Sequence, residues 1–294
     1  MKTLLLIDAN ALVHRCFHAL PPFTTKDGRP SGALYGLASI LIRILHPDKK
    51  TGAEGINSRV PDYVTGFFDR PEPTFRKEIF KEYKIHRPKA PDELVSQIIE
   101  ARKLLENFNI KTFETPGFEA DDLIGAAAEK FKNLPEIKII ILTGDLDALQ
   151  LVENDKVVVE TIKKGVSETA IYNEEGVKER YGLAPKQIPD YKGLVGDASD
   201  NILGVPGIGP KTATPLIQKY GSLENFLEQG QKEKSYQKIS ELKEQALLSK
   251  HLGEIRRDAP LEINLEDLKY QGLPKEKLTA YFETLGFQSM IKRL

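Results

Sequence analysis

Short apolar runs alternate with amphipathic stretches through the first half of the chain. "TLLLID" (3–8), "DYVTGFFD" (62–69), "IKIIILTGD" (137–145) and "KVVVE" (156–160) are rich in β-branched residues, and predict strands. "GALYGLASILIRIL" (32–45), "DELVSQIIEARKLLENF" (92–108) and "GFEADDLIGAAAEK" (117–130) show helical patterns. Strand and helix in alternation predict an α/β fold with a parallel sheet covered on both faces. "HPDKKTGAEGINSR" (46–59) is polar and holds glycine, so it predicts a surface loop. After about residue 165 the strand-like runs stop. "EEGVKERYG", "PKQIPDYKGLVG", "GPKTATPLIQKYGSLENFL" and "KISELKEQALLSKHLGEIRR" predict short helices, with Gly182 and Gly221 as C-terminal caps. The expected division is an α/β domain over residues 1–170 and a helical domain over 171–294.

Composition changes this picture little. Of 294 residues, 40% are hydrophobic and 29% charged, as in ordinary soluble proteins. No run approaches the ~18 apolar residues of a membrane span, and "MKTLLLIDAN" turns acidic too soon for a signal peptide. The single cysteine, Cys16, excludes an internal disulfide, and a cytoplasmic setting is expected. Net charge is −1, which by itself argues against a nucleic-acid partner. Residues 70–89, however, carry seven Lys or Arg against three Glu, a local balance of +4. Such segregation matters more than the sum.

The acidic residues gather elsewhere. Three predicted strands end in aspartate, at Asp8, Asp69 and Asp145, with Asp147 two residues on. In an open parallel sheet the ligand crevice lies beyond the carboxyl ends of the strands. The 117–130 helix should start from that edge, bringing Glu119, Asp121 and Asp122. Glu119 and Asp122 stand at i and i+3, so they share a face. "GDASDN" adds Asp197 and Asp200. Two like charges at about 4 Å repel by roughly 1 kcal/mol in water and roughly 4 at an effective dielectric near 20. Nine carboxylates in one crevice therefore call for cations. All-oxygen donors suit Mg²⁺ or Mn²⁺, and two such ions are a usual device for phosphodiester cleavage. Helix capping explains any one of these aspartates, but not four segments converging on one edge. No contiguous loop has the alternating ligands of a calcium site.

"GVPGIGPKTA" (204–213) follows the last acidic motif. Gly207 and Gly209 allow close backbone approach. The helix expected from Pro210 offers free N–H groups to a phosphate, beside Lys211 and Thr212. It opens no βαβ unit, which counts against a dinucleotide site. With no evident reader of base edges, binding should be sequence-independent. "FRKEIFKEYKIHRPKAPDEL" (75–94) should overhang the acidic crevice. Its charges suit a solvated helix face, yet Lys84 and Arg87 are candidates to hold a scissile phosphate. His14, His18, His46, His86 and His251 show no metal-ligand spacing and read as structural or surface.

Taken in order, "LLLIDANALVHRCFHALPP", "FFDRPEPTFRKE", "EYKIHRPKAPDEL", "GFEADDLIGAAA", "LTGDLDALQLV", "YGLAPKQIPDYKGLVGDASDNILGVPGIGPKTA" and "GSLENFL" resemble the bacterial 5′-3′ exonuclease or flap endonuclease family, the kind found as the N-terminal domain of DNA polymerase I. The resemblance runs nearly end to end. It implies a PIN-like α/β nuclease domain with a helical arch at about 70–95. It further implies a helical domain with a helix-hairpin-helix of the helix-3-turn-helix type at about 190–226. Asp8, Asp69, Glu119, Asp121 and Asp122 match the family's first metal cluster, and Asp145, Asp147, Asp197 and Asp200 its second. Lys84 and Arg87 match the cationic pair of the arch. Arg15, Arg76, Gly207, Gly209, Lys211 and Thr212 are the expected DNA contacts, with a monovalent cation such as K⁺ at the hairpin. The implied reaction is metal-dependent hydrolysis of one phosphodiester near a single-strand to duplex junction, with RNA primers as further substrates. A monomer, with a polymerase in cis or in trans, is expected. Leu146, where the family often has Lys, predicts altered metal affinity, and Pro215 predicts a kink in the hairpin's second helix. A non-catalytic DNA-binding module and a PIN-type ribonuclease are the competing readings. The first requires lost carboxylates, and none is missing.

Overall fold

The computed structural model describes residues 1–47, 60–166 and 168–294. From residue 48 on, the polar 46–59 stretch lies outside the described residues. Strand β1 (Lys2–Asp8) leads into helices α1 (Ala9–Ala19) and α2 (Gly32–Leu45). Then come β2 (Tyr63–Phe67), α3 (Phe75–Ile79), α4 (Asp92–Asn107), β3 (Lys111–Phe113), α5 (Ala120–Phe131), β4 (Ile137–Thr143), β5 (Val157–Lys164) and β6 (Glu168–Tyr172). The sheet order is β3-β2-β1-β4-β5-β6. The first five strands run parallel, but β6 pairs antiparallel with β5. The expectation of an all-parallel sheet ending before residue 165 is therefore corrected at this edge. The half-buried, mixed "ETAIY" of β6 and the three-residue β3 lack the apolar run that betrays a central strand.

β1 shows why the centre forms. Its Leu5 and Ile7 enter one core, with α1, α2 and α4; Leu4 and Leu6 enter the other, with α5. A strand buried on both faces reads as a continuous apolar run. β1 pairs with β2 on one side and β4 on the other. The strand order thus reverses beside Asp8, which makes the edge beyond it the crevice.

The second half is helical: α6 (Glu174–Tyr181), α7 (Ile188–Val195), α8 (Pro210–Tyr220), α9 (Leu223–Gln229), α10 (Tyr236–Glu241), α11 (Lys243–Gly253), α12 (Lys275–Leu285) and α13 (Gln288–Ile291). Gly182 and Gly221 end α6 and α8 at φ 70° and 85°, where glycine carries no Cβ penalty. α8 continues through Pro215. Leu194, Ile208, Ile217, Phe226 and Ile239 centre a third core of its own. α12 and α13 do not join that core. Their Leu278, Phe282 and Met290 pack into the core of α2 and α4. The boundary expected at residue 170 falls inside β6, and the chain's last helices return to the first half. Among the described residues no helix is long and apolar enough to cross a membrane.

Candidate active site

Beyond the carboxyl ends of the strands opens a crevice of about 770 Å³. Asp8, Asp69, Glu119, Asp121, Asp145, Asp147 and Asp200 line it, as do Lys84 and Arg87. Five separate stretches of chain thus deliver their carboxylates to one crevice.

Local bonds fix most of these acids. Asp8 caps α1, its Oδ1 accepting from the Ala11 N–H at 2.9 Å and its Oδ2 from the Thr143 hydroxyl at 2.7 Å. Asp69 accepts from the Ala120 N–H at 2.8 Å and from Asn10 Nδ2 at 3.0 Å. It therefore ties β2 to the start of α5. Asp145 Oδ1 accepts from the Asp147 N–H at 2.9 Å. Asp121 Oδ1 is buried and has no hydrogen-bond partner. A buried acceptor without a partner is costly, and this one faces other acids.

The electrostatics agree with that crowding. Burial, with Asp69 and Asp145 close by, pushes Asp8 up to about 7. Burial pushes Asp69 up as well. Asp121 is raised well above the usual range by burial and by Asp8, Asp145, Asp69 and Asp147. Asp147 rises to about 6 through burial, which the nearby Lys192 only partly offsets. Ionised, these groups need a cation; without one, burial favours the proton. An all-oxygen donor set with an orphaned acceptor fits hard divalent ions. Among the described residues, no three such side chains are gathered into a ready-made cage. The carboxylates ring the crevice, and the protein's own cations neutralise part of it.

Two sequence expectations fail here. Asp122 does not face the crevice. It is fully buried, and both oxygens are used. Oδ2 accepts from Arg76 Nη1 at 2.7 Å and the Glu119 N–H at 3.0 Å; Oδ1 accepts from Arg76 Nη2 at 2.8 Å and the Arg256 N–H at 2.9 Å. With those bonds in place, Asp122 anchors the N-terminus of α5. Arg76, although it lines the crevice, is likewise committed to protein partners. It is 3% exposed, and its remaining donors go to the Leu252 and Glu254 carbonyls at 2.9 and 2.8 Å. Sequence spacing places two acids on a helix but does not tell which one turns inward.

The 70–95 segment holds one short helix, α3, and then turns that line the crevice before α4 begins at Asp92. Lys84 Nζ donates to Glu119 Oε1 at 3.0 Å and lies 3.9 Å from Asp200 Oδ2. Its backbone is left-handed, at φ 55°, and its N–H donates to the Asp200 carbonyl at 2.9 Å. Arg87 pairs with Asp200 Oδ1. Tyr83, which sequence reasoning missed, donates its hydroxyl to Asp200 Oδ2 at 3.1 Å and to Glu119 Oε2 at 3.3 Å. Lys192 was also missed. It is nearly buried and bridges Asp147 and Asp197. Those two aspartates outweigh its burial and raise its pKa, so it is charged. Asp197 is itself penalised by burial, yet Lys192 and Ser199 bring it down to about 2. Its sequence signal is slight, a lone lysine in "YKGLV" five residues before Asp197.

Arg15 lines the crevice and donates to the Lys163 carbonyl at 3.0 Å. The glycine hairpin lies apart from the crevice. Gly207 is at φ 76°, and Gly209 caps α8 with open space where a Cβ would stand. Exposed Lys211 and half-buried Thr212 follow, lining a shallow cavity of about 650 Å³ with Lys232 and Lys234. Leu146 packs against the core under α5.

Comparison with known proteins sets this geometry in a family. The model of the 5′-3′ exonuclease N-terminal resolvase-like domain matches residues 3–182, and that of the 5′-3′ exonuclease C-terminal SAM fold matches residues 183–276. The chain is 36% identical over 295 residues to the 5′-3′ exonuclease of Aquifex aeolicus, covering 100% of this chain and 96% of that protein. It is 41% identical over 298 residues to DNA polymerase I of Bacillus subtilis, covering 100% of this chain and 32% of that protein. The chain thus spans about a third of the length of the DNA polymerase I relatives it matches. Its fold is similar to that of T5 5′-exonuclease with bound zinc, at TM-score 0.66 and 20% identity, covering 99% of this chain and 96% of that one. It is also similar to the catalytic core of Rad2 in complex with DNA, at TM-score 0.61 and 16% identity, covering 99% and 90%. The chain belongs to the 5′-3′ exonuclease family, whose N-terminal and C-terminal models together match it from residue 3 to residue 276.

Proposed function

We propose that this chain is a divalent-metal-dependent, structure-specific 5′ nuclease that hydrolyses a DNA phosphodiester near a single-strand to duplex junction. The observation that carries the reading is Asp121. Its buried Oδ1 lacks a partner among the acids brought in from β1, β2 and β4, a position that calls for a cation. T5 flap endonuclease and Rad2 have been solved with DNA, the former also with metal ions. Asp8, Asp69, Glu119 and Asp121 would hold one ion and Asp145, Asp147, Asp197 and Asp200 a second, as Mg²⁺ or Mn²⁺. When bound, such ions make water a nucleophile near neutral pH and relieve charge on the phosphoryl oxygens.

The chain's own residues do the rest. Lys84 and Arg87 pair with Glu119 and Asp200 at the crevice wall, and would leave those acids to orient the scissile phosphate. The N-terminus of α8, with Gly207, Gly209, Lys211 and Thr212, takes a downstream backbone phosphate, and a monovalent cation such as K⁺ fits beside it. Arg15, at the crevice wall, contacts the same strand. These contacts read phosphate and shape and carry no sequence preference. The protein works as a cytoplasmic monomer beside or joined to a polymerase, a reading supported by its DNA polymerase I relatives. Asp147→Ala should abolish cleavage while duplex affinity in chelator is kept. Loss of binding with cleavage would make the carboxylates structural.

A further inference from the structure

The expected second ligand group already holds a cation. Lys192 projects from α7 and is 8% exposed. Its Nζ donates to Asp147 Oδ2 and, at 2.8 Å, to Asp197 Oδ2. Asp197 Oδ1 is occupied separately by the Ser199 N–H and hydroxyl at 2.9 and 2.7 Å. Each aspartate therefore turns one oxygen to the ammonium. The fold makes room for the stem: a Cβ on Gly253 would come within 3.1 Å of Lys192 Cδ. Lys192 also differs from Lys84 and Arg87. Those two line the crevice, and an entering phosphate can recruit them; Lys192 is not among the lining residues.

We propose that Lys192 is the resident cation of the second carboxylate group, so that a second divalent ion binds only by displacing its ammonium from between Asp147 and Asp197. The inference rests on the metal-dependent reading above. Its physical basis is simple. The ammonium bridges two half-buried acids and favours their ionised form without metal. An incoming ion must break two charge-assisted hydrogen bonds and meet a positive charge at contact distance. Among the described residues no lysine donates to Asp8, Asp69 or Asp121, and the lysine that meets Glu119 is Lys84, which lines the open crevice. The chain should therefore take one ion firmly and the next weakly. Lys192 is a positioning residue for the second group.

The test is calorimetric titration of the metal-free full chain with Mn²⁺, with free ion counted by electron paramagnetic resonance. Wild type should show one firm and one weak ion. Lys192→Met should lower the second dissociation constant by roughly fivefold to a thousandfold, the span of one unit charge at contact distance. Metal-free Lys192→Met should melt lower than wild type, and Mn²⁺ should restore it. A merely structural lysine would lower the melting temperature equally with and without Mn²⁺. If the Met variant does not fold in chelator, Lys192→Gln, which keeps a donor, serves for the same titration. An unchanged or weaker second site in the variant overturns the proposal and leaves the nuclease reading standing. So does a loss of duplex affinity in chelator with an unchanged Mn²⁺ isotherm, since Lys192 would then be a DNA contact. No Mn²⁺ uptake by wild type overturns both.

Discussion

Arg76 and Asp122 form a buried, bidentate pair at the start of α5. Removing one partner of such a pair strands the other charge and costs about 3–5 kcal/mol. Arg76→Met should show that loss in urea unfolding, and should also cut cleavage, because Glu119 and Asp121 ride on the same turn. A loss under about 1 kcal/mol, the size of a surface pair, would show that Asp122 does not need its arginine. Lys84 belongs to another class. It is partly exposed, and its ammonium pairs with Glu119, whose place a phosphate can take. Lys84→Ala should slow single-turnover cleavage roughly a hundredfold, as for other lost transition-state donors, while duplex affinity changes little. Equal losses in rate and affinity would assign it to binding alone. At this scale the sequence shows residue type and spacing but not direction. Strand-end aspartates were legible because the carboxyl edge of a parallel sheet is a known place. Asp122 and Arg76 were not, since an acid and an arginine that neutralise each other in a core look the same in sequence as two that face solvent.

The elements that hold the site were legible where patterns are long. β1 and β4 are apolar on both faces and stand at the centre of the sheet. β3 and β6 are short or half-buried edges, and their pairing is decided by neighbours rather than by their own residues. α5 offers a discriminating test. Ala is favoured over Gly in a helix by about 1 kcal/mol, so propensity alone makes Gly125→Ala stabilising. A Cβ there, however, would lie 2.4 Å from the Arg256 carbonyl oxygen and 2.9 Å from Ile255 Cγ2. Backbone cannot yield cheaply, and the Arg256 N–H is bonded to Asp122. The contact should win: Gly125→Ala should lower the urea midpoint and weaken cleavage. A raised midpoint would show that residues 255–256 move aside freely.

Across the whole molecule, the acids set the pH response. Asp8 moves from its ordinary 3.8 to about 7 on folding, and Asp147 from 3.8 to about 6. Between those limits the folded chain holds protons that the unfolded chain has released. Metal-free stability must then fall as pH rises through this window. Asp197, held at about 2, is ionised in both states there and adds no slope. His14, lowered by burial, works in the opposite sense but is one group against several. In chelator the melting temperature should be higher near about pH 5 than near about pH 8, and excess Mg²⁺ should shrink that difference. A melting temperature that rises with pH in chelator would mean the acids are stabilised by the fold alone. The return of α12 and α13 to the first core was hidden from sequence, since an amphipathic helix does not name the face it covers. Phe282 is fully buried there, and Phe282→Ala should cost about 3–5 kcal/mol, although the helix lies late in the chain.

The most direct test of the metal-dependent nuclease is cleavage of a 5′-labelled flapped DNA duplex by the full chain, with Mg²⁺ and with chelator, the product sized on a gel. We expect release of the flap close to the junction with Mg²⁺ and intact substrate in chelator. Binding without cutting under both Mg²⁺ and Mn²⁺, or cutting that chelator does not stop, would contradict the central claim.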